Sequence, residues 1–149
     1  MFRQLDYQDR VLTAIDLYLH TLKGKKARSV KIAALAALDP DLGVPIPDFA
    51  KEAWEALKAG GKLPPSRASI PYSLRMDGCD RPVPNAVLKV PTGGGKTWIA
   101  VSAVSKIMGR YLDRNTGFVL WIVPNEAIYS QTLKHLKDRQ HPYRQALDR

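Results

Sequence analysis

The sequence is poor in the features that mark secreted or membrane proteins. It has a single cysteine, Cys79, in 149 residues, so no internal disulfide can form. No apolar run approaches the roughly 18 residues of a membrane span, and the N-terminus lacks the apolar core of a signal peptide. We therefore expect a cytoplasmic protein with no membrane partner.

Acidic residues are also scarce relative to basic ones. Lys and Arg number 23 against 14 Asp and Glu, which gives a net charge of +9. With 45% hydrophobic and 25% charged residues, the composition is that of a soluble globular protein. The excess of positive charge fits either a polyanionic partner such as DNA or an ordinary solvated surface.

The first 84 residues are predicted to be mainly helical. One apolar stripe predicts a helix over about 6–22 that stops before Gly24, and an alanine-rich helix follows over 30–38. Asp48 is a good N-cap for a helix over about 48–59, which Gly60 and Gly61 would end. Residues 60–84, rich in Gly, Pro and Ser, are predicted to form a loop. The stripe consists of Leu5, Leu12, Ile15, Leu19 and Leu22.

Residues 85–149 are predicted to be α/β. Apolar runs at 86–90 and 118–123 suit buried parallel strands, and an amphipathic helix over about 95–112 lies between them. Strand, helix and strand make one βαβ unit with parallel strands. Asn125 is expected to cap a final helix that fades near 141–142. We therefore divide the chain into a helical N-terminal segment, 1–84, and an α/β segment, 85–149.

The loop between the first strand and its helix reads VPTGGGKT, residues 90–97. Gly93, Gly94 and Gly95 allow positive φ values and can turn successive backbone N–H groups inward at a helix N-terminus, which is a phosphate cradle. Lys96 would reach the β- and γ-phosphates of a nucleotide, and the hydroxyl of Thr97 would ligate Mg²⁺. The alternative is a glycine-rich turn that only joins strand to helix.

This loop resembles motif I, or Walker A, of the superfamily 2 helicases. Those loops commonly carry a small or apolar residue where Val90 stands, in place of the first glycine of the P-loop pattern. WIVPNEAIYSQTLKHL, which contains Pro124 and Asn125, resembles motif Ia. The longer stretch VLWIVPNEAIYSQTLKHLKDRQHPYRQALD closely resembles the helicase, or Res, subunit of type III restriction enzymes.

The resemblance implies a partial RecA-like P-loop NTPase fold and ATP and Mg²⁺ as cofactors. It implies DNA as a partner, along with the modification (methyltransferase) subunit of a restriction system. Lys96 and Thr97 would act in catalysis, Thr97 as the metal ligand, while Pro124 and Asn125 would contact the nucleic-acid backbone. The implied nucleotide-binding residues are Gln8, Thr92, Gly93, Gly94, Gly95, Lys96 and Thr97.

Gln8 enters this set for two reasons. It falls between Leu5 and Leu12 on the apolar stripe, where a buried amide needs polar partners. In addition, LDYQDRVL resembles the Q motif, whose glutamine pairs with adenine, and Tyr7 would be a stacking neighbour. The alternative is a glutamine at a helix start that bonds to backbone or water.

Several parts of an ATP-driven motor are missing from the sequence. No Asp-Glu pair follows an apolar strand, and no second motor domain or nuclease motif is present. We therefore expect the N-terminal part of a DNA helicase or translocase, truncated before the Walker B motif and inactive alone. Two alternatives stay open: another superfamily 2 repair or remodelling helicase, and a non-catalytic nucleotide-binding module.

Overall fold

The computed structural model describes residues 5–148, and these are organised as helices and connecting segments. A 3₁₀ turn, Pro40–Leu42, follows the first helix, and a π-helical turn, Ile107–Leu112, continues the fourth. None of the helices in this described range is long and apolar enough to cross a membrane. The helices are α1 (Asp6–Leu38), α2 (Phe49–Ala59), α3 (Pro65–Ala68), α4 (Lys96–Lys106), α5 (Glu126–Lys137) and α6 (Pro142–Leu147).

The chain forms two compact units. The first comprises Met1–Asp16 and Leu88–Arg149, so it combines the start of α1 with α4, α5 and α6. Helix α4 packs against α6, and α6 also packs against α5. The buried side chains of this unit lie in α1, α4 and α5. The N-terminal residues therefore share a core with the C-terminal half. The buried residues are Gln8, Leu12, Ile15, Ile99, Val101, Ser102 and Thr132.

The second unit, Leu17–Val87, contains the rest of α1 together with α2 and α3. Leu22 of α1 is buried, as are Ala53 and Leu57 of α2. Ser29 Oγ donates a hydrogen bond of 2.8 Å to the carbonyl of Pro47, which fixes the segment that enters α2. The second unit is therefore a small helical core of its own.

Helix α1 departs from its sequence-based prediction at Gly24. The predicted start is confirmed, but the helix runs through Gly24 and the basic residues after it to Leu38. A Cβ at Gly24 would meet nothing within 4 Å, so this glycine serves no close packing. Glycine inside a helix costs only about 1 kcal/mol relative to alanine, and good helix formers on both sides offset that. The prediction of a break at this position is wrong.

The prediction of an α/β, RecA-like fold is also wrong for the part of the chain that the structure describes. Residues 5–148 contain no β-strand, and a single antiparallel bridge joins Met76 to Pro82. The two apolar runs have no regular secondary structure and do not pair, and Val87, Phe118 and Ile122 are 86%, 89% and 82% exposed.

The physical reason lies in what a parallel strand requires. It needs a neighbouring strand for its hydrogen bonds and cover on both faces, and two short runs in 144 described residues do not supply these. The run at 118–123 instead packs against α5 with one of its two sides. Trp121 and Val123 line a cavity with Tyr129 and Leu133 of α5, while the alternate side chains face outward.

Candidate functional site

The loop before α4 uses each of its three glycines for a different reason. Gly93 and Gly95 have φ values of +78° and +70°, in the left-handed region that favours glycine. Gly94 is not in that region, but a Cβ there would lie 2.8 Å from Val90 Cγ1 and 2.9 Å from the Pro91 carbonyl oxygen. Gly93 is therefore required by conformation, Gly94 by space, and Gly95 by both, since a Cβ on Gly95 would approach Gln8 Nε2 to 2.5 Å.

Helix α4 begins directly after this loop without a side-chain cap. Its N-cap is Gly95, whose carbonyl accepts the first helical hydrogen bond from Ile99 N–H at 3.1 Å. The first N–H groups of a helix have no partner within the helix, and the N-cap here is a glycine, which has no side chain to accept from them. These donors and the positive end of the helix dipole are thus directed at the space in front of the loop.

Lys96 and Thr97 occupy the first two positions of α4. Lys96 is exposed, and its Nζ donates a hydrogen bond of 3.1 Å to the carbonyl of Pro91, so the side chain folds back across the loop. The Thr97 hydroxyl is half-buried and bonds to nothing in residues 5–148. A cation and a free hydroxyl therefore flank the same group of backbone donors.

The start of α1 holds the middle of the loop. Gln8 is only 4% exposed, and its Nε2 donates to the Gly94 carbonyl at 3.2 Å. The Tyr7 hydroxyl donates to the same carbonyl, and Gln8 Oε1 accepts from Leu5 N–H at 3.0 Å. The polar partners expected for Gln8 are thus supplied by the protein itself, and one of them, the Gly94 carbonyl, belongs to the glycine loop.

A second tie between α1 and the α4 region was not visible in the sequence. The Asp16 carboxylate forms two ion pairs. One is with Lys106 at the end of α4, at 2.6 Å, and the other is with Arg110 in the π-helical turn, at 2.9 Å. These pairs span about ninety positions of sequence, so no local pattern reveals them. They hold α1 against the helix that follows the loop.

Pro124 and Asn125 lie apart from the loop in sequence, at the start of α5. Asn125 Oδ1 accepts a hydrogen bond of 3.0 Å from Ile128 N–H, so the predicted capping role is confirmed. No hydrogen bond in the described part of the chain joins Asn125 to the glycine loop. Hydrogen bonds thus join Gln8 to the loop, whereas none in the described residues joins the loop to Asn125.

The end of α5 carries a group of rings. His135 and His141 stack with their centroids 4.1 Å apart and their planes 5° from parallel. Burial lowers the pKa of His135, and the charges of His141 and Lys134 lower it further. Within residues 5–148, no three His, Cys, Asp or Glu side chains are grouped as a metal site.

Comparison with models of known protein families gives a match over most of the chain. A family model described as type III restriction enzyme, res subunit, matches residues 48–148, which is about two thirds of the chain. The matched region contains the glycine loop, Lys96, Thr97 and Asn125, whereas Gln8 lies outside it. No curated protein and no solved structure matches. The chain belongs to the type III restriction enzyme res subunit family, a family of helicase-like ATPases.

Proposed function

We propose that the loop at 90–97 binds ATP with Mg²⁺ and that residues 85–149 are the ATP-binding segment of a DNA translocase. The observation that carries this proposal is the start of α4. Its N-cap is a glycine without a capping side chain, its dipole faces the loop, and a lysine and a threonine stand beside it. In the complete protein, ATP hydrolysis would drive movement on DNA.

Each residue of the loop has a part in this proposal. The amides of Gly93, Gly94 and Gly95 would donate to phosphate oxygens, with Thr92 at the entrance of the loop. Lys96 would leave the Pro91 carbonyl and contact the β- and γ-phosphates, because a phosphate oxygen is a stronger acceptor for an ammonium group than a carbonyl. The Thr97 hydroxyl would be a ligand of the Mg²⁺ that is bound with the nucleotide and that would offset the charge of its phosphates.

We keep Gln8 as the proposed contact to adenine, and the structure defines what that contact requires. Both donors of its amide group are engaged, with Gly94 and with the Tyr7 hydroxyl, and one lone pair of Oε1 is engaged with Leu5. The second lone pair can accept from the amino group of adenine. A hydrogen bond to adenine N7 would compete with the Gly94 carbonyl.

Isothermal titration of the 149-residue chain with ATP and Mg²⁺ tests the proposal. We expect Lys96→Ala to weaken binding about tenfold or more, because a charge-assisted hydrogen bond is worth roughly 1.5–3 kcal/mol. Lys89→Ala is the matched control, since it removes an exposed lysine just before the loop and should leave affinity unchanged. Tight binding that survives Lys96→Ala would remove the basis for this assignment.

DNA and a modification subunit are the partners that the family implies. We propose that Asn125 contacts the DNA backbone, with Pro124 fixing the chain before it. The cap uses only Asn125 Oδ1, so the Nδ2 group of this exposed residue stays available to donate to a phosphate. The net charge of +9 supports a salt-dependent interaction without base specificity.

A further inference from the structure

We propose that Tyr7 is a positioning residue for phosphate binding, acting with Gln8 to orient the peptide group between Gly94 and Gly95. This inference rests on the proposed function. It assigns to Tyr7 a role that needs its hydroxyl and does not depend on which base the nucleotide carries.

The first step is the convergence of two donors on one carbonyl. The Tyr7 hydroxyl and Gln8 Nε2 both donate to Gly94 O, and Gly94 is buried. A further hydrogen bond of 3.3 Å joins Gln8 Nε2 to the Tyr7 oxygen, so the two side chains also hold each other. The carbonyl of Gly94 is thereby fixed in the direction of α1.

The second step follows from peptide geometry. The described chain has no cis peptide bond, and in a trans peptide the C=O and the following N–H point to opposite sides of the chain. Because Gly94 C=O points to α1, the Gly95 N–H points away from α1. That N–H has no hydrogen-bond partner in residues 5–148, so it is available to an anion.

The peptide between Gly94 and Gly95 needs a restraint on its orientation. A peptide flanked by two glycines rotates with little steric restraint, and a loop free to rotate it would pay an entropic cost on binding. Rotation in this structure would take away the acceptor that the Gln8 amide, 4% exposed, shares with the Tyr7 hydroxyl, and would leave one N–H of Gln8 unsatisfied. Burying an unsatisfied donor costs about 1–3 kcal/mol. The hydrogen bonds from Tyr7 and Gln8 therefore favour the peptide orientation in which the Gly95 N–H is open to a phosphate.

The test compares three ligands in the full chain: ATP, GTP and tripolyphosphate, each with Mg²⁺. Tyr7→Phe removes the hydroxyl alone, and we expect it to weaken all three by a similar factor of about three to ten, the equivalent of one hydrogen bond. Tyr129→Phe, at an exposed tyrosine of α5, is the matched control and should change none of them. If the urea midpoint of Tyr7→Phe equals that of the unsubstituted chain, its weaker binding results from lost positioning and not from loss of fold.

The outcomes distinguish this inference from the proposed function. A loss confined to ATP would assign Tyr7 to the base and overturn the inference. Unchanged affinities in Tyr7→Phe, with a large loss in Lys96→Ala, would also overturn it while the proposed function stands. No binding of any ligand by the unsubstituted chain would overturn the proposed function and the inference with it.

A second readout reports the orientation directly. In chain labelled with ¹⁵N-glycine, we expect ADP to shift the Gly95 amide resonance strongly, and to shift it less in Tyr7→Phe because the N–H is no longer held toward the phosphate. A Gly95 shift of equal size in both proteins would contradict the positioning role.

Discussion

Helices α2 and α5 begin in one way, and α4 begins in another. Asp48 accepts hydrogen bonds from Ala50 and Lys51 N–H, both at 3.0 Å, and Asn125 accepts one from Ile128 N–H. Helix α4 begins at a glycine with positive φ and has no side-chain cap. The difference shows which helix start is complete within the protein and which one still has donors to offer to a ligand.

The comparison also explains why the uncapped start is tolerated. In α2 and α5 a carboxylate or an amide satisfies the first amides from within the chain, and this stabilises the helix by about 1 kcal/mol. Helix α4 is held instead near its other end, where Asp16 forms ion pairs with Lys106 and with Arg110 of the turn that follows. Side chains far along the sequence thus support a helix whose N-terminus is left open.

The largest expected effect comes from adding a methyl group to the open start. Gly95→Ala should abolish measurable ATP binding and lower the urea midpoint, because its φ of +70° is unfavourable for alanine and the new Cβ would lie 2.5 Å from Gln8 Nε2. Gly93→Ala is the matched variant, since it has the φ strain but nothing within 4 Å. Equal losses in the two variants would show that the approach of Gln8 does not matter.

An intermediate effect is expected at the capped start of α5. Asn125→Ala should cost about 1 kcal/mol of unfolding free energy and weaken DNA binding, because it loses both the cap and the amide donor. Asn125→Asp keeps a cap oxygen, so it should retain stability while binding DNA more weakly. Urea unfolding and fluorescence anisotropy over a salt series measure the two effects.

Asp48→Ala provides the control for that pair. It removes a cap of similar strength from α2, in the other unit, and should lower stability without changing DNA affinity. DNA binding by Asn125→Asp equal to that of the unsubstituted chain would contradict a backbone contact through the Asn125 amide.

The sequence predicted the helix starts better than it predicted the fold. Asp48 and Asn125 were identified as caps because capping depends on residues within one turn, and both are confirmed. The stop at Gly24 failed because a single local penalty was weighed without the helix formers around it. The strands at 86–90 and 118–123 failed because strand pairing depends on distant partners, which apolar periodicity does not report.

In the candidate site, too, the sequence predicted what depends on neighbouring residues and missed what depends on distant ones. The glycine loop and Lys96 were identified from local order, and the need of Gln8 for partners followed from its place on the apolar stripe. The partner itself, the Gly94 carbonyl, lies 86 positions away, and the shared contact with the Tyr7 hydroxyl spans 87. A single sequence gives no signal for contacts of that kind.

Helix α6 provides a third kind of start, one capped by an imidazole ring, and the smallest expected effect. His141 Nδ1 accepts a hydrogen bond of 3.2 Å from Tyr143 N–H, and the His141 ring stacks on His135. Burial, then the charges of His141 and Lys134, lower the pKa of His135, while Asp138 raises it. Acidification therefore charges the His135 ring beside a stacked ring and a lysine.

The direction of the pH dependence follows from the lowered pKa of His135. The unfolded chain takes up its proton near the ordinary value of about 6.5, before the folded chain does, so this contribution to stability is complete above that pH and is lost as the pH falls toward the folded value. Urea midpoints at pH 8 and 5.5 should therefore differ less in His135→Gln than in the unsubstituted chain. His141→Asn, which keeps a cap acceptor but removes the ring whose charge lowers the pKa of His135, should also reduce the difference. If the urea midpoints at pH 8 and 5.5 differ as much in His135→Gln and His141→Asn as in the unsubstituted chain, the stacked rings do not contribute to the pH dependence of stability.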